Sequence, residues 1–297
     1  MRKTSILVDK AAGAVTRIFA LAAVSILVLI TLGLLLKSGL ILSRETPSQL
    51  LLSSEWKPSR GVFGFYPFIT GTLLVTFVTM LFSVPLCLMS AIYLAEYAGG
   101  RFRSLVKSGI DTLAGIPSVI FGLWGVVFIV PFVRDYLAPA FGYETSGYCI
   151  LSGAMVLSVM VVPIMLSIME EIIASVPQDL REASFALGAT RWQTVKKVVL
   201  RKASPGIMSA VILGFSRAFG ETMAVLMVVG NVAMHAKSPF DPVYPLTALI
   251  ANNYGEMLSI PEFESAMMFA ALLLLVIVVA FDAVGRAILS RMKAEAY

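Results

Sequence analysis

Charge is scarce in this sequence: Asp, Glu, Lys and Arg together make up only 14% of 297 residues, against about 25% in an ordinary soluble domain. With 58% hydrophobic residues and a mean hydropathy of +0.89, that scarcity excludes a water-soluble globule and makes the chain an integral membrane protein. Histidine occurs once, at His235 in an outer loop away from the apolar runs; with that placement no Ser/His/Asp or paired-carboxylate arrangement is expected, and enzyme chemistry has little to stand on. The two cysteines, Cys87 and Cys149, stand apart and give neither a metal nor a disulfide framework; packing is their ordinary use. No G-x-x-x-x-G-K-[ST] phosphate loop occurs, so any ATP must be hydrolysed by another chain. No segment between apolar runs exceeds about 36 residues, too little for an independent soluble domain. Internal repeats, from which many secondary carriers are built, are not visible either.

Long apolar runs are what the chain has in abundance. Residues 18–36, 68–95, 112–133 and 145–169 carry no charge, 206–230 carries only Arg217 and Glu221, and 265–290 has Asp282 and Arg286 towards its end. All are far longer than the roughly 9–11 residues of a membrane-barrel strand, so six membrane-crossing helices are expected. The first run is longer than the roughly 7–15 residues of a secretory signal core and lacks a small-x-small cleavage site after it, so it is expected to be a retained span. With the N-terminus inside, segments 1–17, 96–108, 170–205 and 286–297 hold 16 Lys and Arg, while the outer segments 37–67, 131–148 and 231–262 hold 6. That bias predicts two cytoplasmic termini, and the net charge of +5 needs no nucleic-acid partner. Pro85, Pro117 and Pro163 fall inside the second, third and fourth runs, as pathway kinks or as fold geometry alone. The outer segment 37–67, with Pro47, Trp56, Pro58 and Tyr66, is expected to be irregular.

Arg217 is the costly residue. At bilayer mid-depth an arginine costs roughly 2.5–3.5 kcal/mol even on insertion scales, and it persists only where it faces protein, water or a charged ligand. On an unbroken helix Ala210, Gly214, Arg217, Ala218 and Glu221 share one face, and small residues on that face let a helix or a narrow cavity approach closely. The bland alternative is a salt bridge holding the bundle. Arg before Glu at i,i+4 is the poorer order, and burying both charges is expensive, so a polar solute handled inside the membrane is the better account.

Segment 170–205 is the longest inner one. Pro177 suits a helix start, with Asp179 and Glu182 in the first turns. Leu180, Ala183 and Leu187 recur at helical spacing, and Gly188 suits the stop. A second short helix is expected over 191–201, with Trp192, Val195, Val198 and Val199 set against Lys196, Lys197 and Arg201. A helix with small residues at Ala183, Ser184 and Ala186 either docks in another protein's groove or lies on the membrane surface.

The run Glu182-Ala183-Ser184, with Gly188 four residues on and then Val198 and Leu200, resembles the EAA loop of permease subunits in binding-protein-dependent ABC importers. There the loop enters a cleft of the ATPase subunit and transmits its motion, which assigns Leu180, Glu182, Ala183, Ser184, Leu187 and Gly188 to ATPase coupling. The chain departs from that pattern with Ser184 for a second alanine, Val198 for isoleucine and Arg201 for proline; Pro205 matches a later proline. Residues 91–97, 115–119 with 122–125, and 217–225 through Gly230-Asn231 are similar to the PstC family of phosphate permeases, the likeness running from about residue 68 onward. Met223-Ala-Val favours that family over its sister, PstA. The resemblance implies an all-α, six-helix type I (MetI-like) importer permease of the bacterial or archaeal plasma membrane, the inner membrane in a Gram-negative cell. It implies a first helix and outer loop over 1–67, a permease core over 68–290 with the coupling loop 170–205, and a short tail over 291–297. It further implies a PstA-like second permease, a PstB-like ATPase dimer using ATP and Mg, and a PstS-like external phosphate-binding protein, with no cofactor on this chain. Arg217 then becomes a phosphate contact, its planar fork matching phosphate oxygens. Glu221 either neutralises Arg217 between transport events or accepts a hydrogen bond from phosphate, which still carries a proton near neutral pH where sulfate does not. The rivals are a permease for sulfate, molybdate or phosphonate, and a proton-coupled anion carrier with Arg217–Glu221 as relay.

Overall fold

The computed structural model describes residues 2–255 and 260–295, with side-chain surroundings for 12–255 and 260–292. Inside a bilayer the backbone must satisfy itself, which turns each long apolar run into a helix. In chain order the helices are α1 (Arg2–Lys37), α2 (Gly39–Arg44), α3 (Pro47–Leu52), α4 (Tyr66–Tyr97), α5 (Gly100–Ala114) and α6 (Ser118–Ala140). They continue with α7 (Ile150–Ala174), α8 (Gln178–Ala186), α9 (Arg191–Gly220), α10 (Met223–Val228), α11 (Leu246–Asn253) and α12 (Pro261–Glu295). Among the described residues six are long and apolar enough to cross a membrane: α4, α6, α7, α9, Ala12–Lys37 of α1 and Pro261–Met292 of α12.

Helix α7 is the most enclosed of the six and organises the bundle. It packs along α4, where Val75, Met80 and Cys87 join Val156, Met160 and Met165 in one apolar core. Against α9 it runs antiparallel, Gly206 meeting Ile172 and Gly214 meeting Met165. Helix α1 lies along α12 with nearly all its described side chains outward, as lipid contact requires. Pro205 removes one backbone donor inside α9; the Ser204 hydroxyl donates to the Arg201 carbonyl at 2.9 Å in its place, the side-chain repair that membrane prolines use.

Four expectations are corrected. Segment 37–67 is not irregular: it holds α2, α3 and a hairpin of β1 (Trp56–Lys57) with β2 (Val62–Phe63). Trp56 lies 5.5, 5.5 and 4.8 Å, ring to ring, from Phe63, Phe65 and Phe68, building a second core with Leu50, Leu246 and Phe263. The third span begins at Ser118, not residue 112, and Pro117 caps it from outside; a proline biases the residue before it away from the helical region. Residues 100–114 form the separate helix α5, none of whose residues is buried, and its Arg103 pairs with Glu170, which lies within α7 and not in a loop. The short helix expected over 191–201 is the N-terminal end of α9 itself, continuous with it through a π-turn at Val195–Val199.

Candidate functional site

The fifth apolar run is not one helix. Helix α9 stops at Gly220, Glu221 is extended (φ −73°, ψ 127°), and the chain resumes as α10 before turning through two left-handed residues, Gly230 (φ 91°) and Asn231 (φ 52°). Gly220 and the β-branched Thr222 are weak helix formers. The opened backbone is held from outside the run by Thr247 Oγ1 of α11, which donates to the Glu221 carbonyl at 3.1 Å, and from within it by the Glu221 carboxylate, which accepts the Ala224 amide at 3.4 Å. A break at membrane depth is tolerated only inside protein or along a water-filled path.

Glycines let α10 sit deep in the bundle. A Cβ at Gly122 of α6 would stand 3.1 Å from Ala224 Cα and 2.7 Å from Met227 Sδ. One at Gly125 would stand 2.9 Å from Val228 Cγ1 and 2.5 Å from Val156 Cγ2. Overfilling such a contact costs about 1–3 kcal/mol. Gly125→Leu should therefore lower the melting temperature of the purified protein and depress transport, while Gly109→Ala, in open space on α5, should change neither.

Arg217 lies in the last turn of α9. Gly214 abuts Met165 of α7, so at about 1.5 Å per residue Arg217, one turn on, is level with the middle of α7. Ala210, Gly214 and Ala218 are buried, Gly214 against Met165 of α7 and Met80 of α4; the small-residue face thus packs inside this chain. Arg217 stands outside it, exposed, and among the described residues makes no hydrogen bond or ion pair. Its expected helical alignment with Glu221 is corrected, because the helix ends before Glu221 and i,i+4 geometry no longer applies. The bundle-holding salt bridge goes with it: Glu221, half-buried, caps α10.

Asp282 is the neighbour that sequence reasoning did not bring here. The Ser216 hydroxyl donates to Asp282 Oδ1 of α12 at 2.6 Å, and Phe281 lies 5.5 and 4.8 Å from Phe215 and Phe219. A carboxylate inside an apolar run was the available signal; which helix it met depends on the Ile212–Gly285 crossing, which no pattern within one helix encodes. A cavity of about 370 Å³ opens at the far end of α10, lined by Ser146, Tyr148, Leu226, Gly230 and Asn231.

Of the residues that the resemblance assigned to coupling, Leu180, Glu182, Ala183 and Ser184 lie on α8, and Leu187 and Gly188 follow it directly. Glu182 and Ala183 are exposed, Leu180 and Leu187 are exposed apolar side chains, and Gly188 turns at φ 82° as its position predicts. Ser184, where the resembled pattern has alanine, holds Thr194 Oγ1 of α9 at 2.8 Å.

The family model of the binding-protein-dependent transport system inner membrane component matches residues 83–294. A probable ABC transporter permease protein of Bacillus subtilis, YqgH, is 40% identical over 235 residues, 78% of this chain and 74% of the relative. The phosphate transport system permease protein PstC of Xylella fastidiosa is 34% identical over 254 residues, covering 81% and 78%. The probable PstC of Methanocaldococcus jannaschii is 33% identical over 281 residues, covering 90% and 89%. Among solved structures, the inward-facing MetNI methionine ABC transporter aligns with a TM-score of 0.59 at 22% identity, over 80% of this chain and 99% of the other. A bacterial alginate ABC transporter aligns with a TM-score of 0.55 at 17% identity, over 86% and 93%. At those identities the structures speak for the fold.

Proposed function

The chain belongs to the family of binding-protein-dependent transport system inner membrane components, and on that premise we propose that it forms half of the translocation pathway of an ATP-driven importer of inorganic phosphate. As an ABC importer permease subunit it is a multi-pass plasma-membrane protein with a transport role. The PstC relatives support phosphate as the substrate, a PstA-like chain as the other half of the pathway, a PstB-like ATPase dimer that uses ATP and Mg, and a PstS-like binding protein outside. The Lys/Arg bias supports placing α8 and both termini on the cytoplasmic side.

One observation carries the reading: an arginine at mid-membrane depth that is exposed and unpaired among the described residues. Lipid would make that position expensive, so the face around Arg217 belongs to a pathway shared with the second permease. There a guanidinium meets an oxyanion with two parallel N–H donors. ATP binding and hydrolysis in the partner move α8, and the bundle presents Arg217 to one side and then the other.

Glu221 sits on the backbone break one turn beyond the arginine. Its carboxylate repels a fully ionised anion and accepts a hydrogen bond from phosphate, which keeps a proton near neutral pH where sulfate does not. Glu221→Gln is expected to narrow the preference for phosphate over sulfate, read as the ratio of their uptake rates in cells carrying only this importer; an unchanged ratio would remove Glu221 from substrate choice. The class as a whole is tested by gentle purification. An ATPase and a second permease should co-purify with the chain, and their absence from an intact preparation would defeat the importer reading.

A further inference from the structure

Helix α8 is attached to the bundle in an unusual way: Arg181 is its only buried residue. Its apolar side chains Leu180 and Phe185 are exposed, as is Leu187 just after it, so burial of apolar side chains does not hold it. The Arg181 guanidinium instead gathers three elements at one point. Nη2 and Nε donate to Glu96 Oε1 of α4 at 2.6 and 3.2 Å. Nη2 also donates to the Ile173 carbonyl of α7 at 3.0 Å, and Nη1 to the Val176 carbonyl just beyond it, so the guanidinium caps the end of that helix. The two side chains are only 11% and 9% exposed, so the contact is desolvated and directional, not a loose surface pair.

Glu96 is itself set in a π-turn, Tyr93–Tyr97, that closes α4, a helix defect that recurs at functional positions. Its backbone carbonyl accepts from Arg191, the first residue of α9, whose guanidinium lies 4.7 Å over the Tyr97 ring. These groups line a polar cavity of about 470 Å³ with Arg103 and Phe185. Four helices thus meet around Glu96 and Arg181: α4 and α8 through the ion pair, α7 through its carbonyl on Arg181, and α9 through Arg191 on the Glu96 backbone carbonyl.

We propose that Arg181 and Glu96 form the mechanical link that carries displacement of α8 into α4, so that both are positioning residues for transport. The proposal rests on α8 being the ATPase-docking helix. Removing the link leaves α8 tethered by chain continuity to α7 and by Ser184–Thr194 to α9, and leaves its exposed face untouched. Docking and ATP hydrolysis then survive while α4 no longer follows.

The test uses the whole complex, with both permeases, the ATPase and the binding protein, in proteoliposomes loaded with ATP and given radiolabelled phosphate outside. Glu96→Gln, nearly isosteric, leaves Arg181 bonded to the α7 carbonyls. It is expected to keep the ATPase bound and hydrolysing while phosphate moved per ATP falls about tenfold, the scale of one lost charge-assisted contact. Arg181→Lys, which keeps the charge and loses the fork, should fall between this variant and wild type. A merely structural role would lower uptake and hydrolysis together and leave their ratio alone. The link is overturned if phosphate per ATP is unchanged in both variants, or if the ATPase dissociates from both, which would make the pair a docking anchor. A wild-type complex that hydrolyses ATP without taking up phosphate would instead defeat the importer reading, so the two failures are distinguishable.

Discussion

Arg217→Ala is expected to abolish phosphate uptake, by about a hundredfold or more, while the complex still purifies intact. The magnitude follows from truncating one member of a desolvated charge pair, which costs about 2–5 kcal/mol. Intact assembly follows from the structure: Arg217 is exposed and unpaired among the described residues, so its loss strands no buried partner in this chain. Arg217→Lys should recover only part of the rate, because a point charge does not reproduce two parallel donors. Initial uptake rates in cells, beside the yield of co-purified ATPase, check both statements. Normal uptake by the alanine variant would remove Arg217 from the pathway.

The second large effect is expected at Leu187, which is 89% exposed immediately after α8. Burying a leucine in a partner's groove contributes about 1.5–3 kcal/mol, and a carboxylate in that groove adds a desolvation penalty. Leu187→Asp should therefore reduce co-purification of the ATPase about tenfold or more. The melting temperature of the chain itself should stay put, since so exposed a side chain contributes little to its own fold. The same variant separates docking from the membrane-surface alternative: a helix merely lying on lipid would lose apolar contact and still retain its ATPase.

Much of this architecture was legible in hydropathy. The six spans follow from apolar length, and the start and stop of α8 from Pro177 and Gly188, because those signals are local to the residues that carry them. The break at Glu221 was hidden for a physical reason. Residues 222–230 are as apolar as a continuing helix would be, and what opens the backbone there is room provided by Gly122 and Gly125, nearly a hundred residues earlier, and a hydroxyl from Thr247, 26 residues later. Apolarity records where a chain sits, not whether its helix is continuous. The same limit applies to Arg181, which sequence spacing treats as one more polar residue beside Glu182, and which the fold buries against Glu96 85 positions earlier. It also explains Trp56: spaced aromatics at 56, 63, 65 and 68 have no helical or strand period, and they meet only once Gly61 has turned the hairpin at φ 71°.

The energy source of transport separates an importer permease from an ion-driven carrier most directly. Proteoliposomes holding this chain with its second permease, ATPase and binding protein should accumulate radiolabelled phosphate only when ATP is hydrolysed, and should be indifferent to an imposed proton gradient. Liposomes holding this chain alone should accumulate none. Phosphate accumulation by the chain alone, driven by a proton gradient and independent of ATP, would contradict the account.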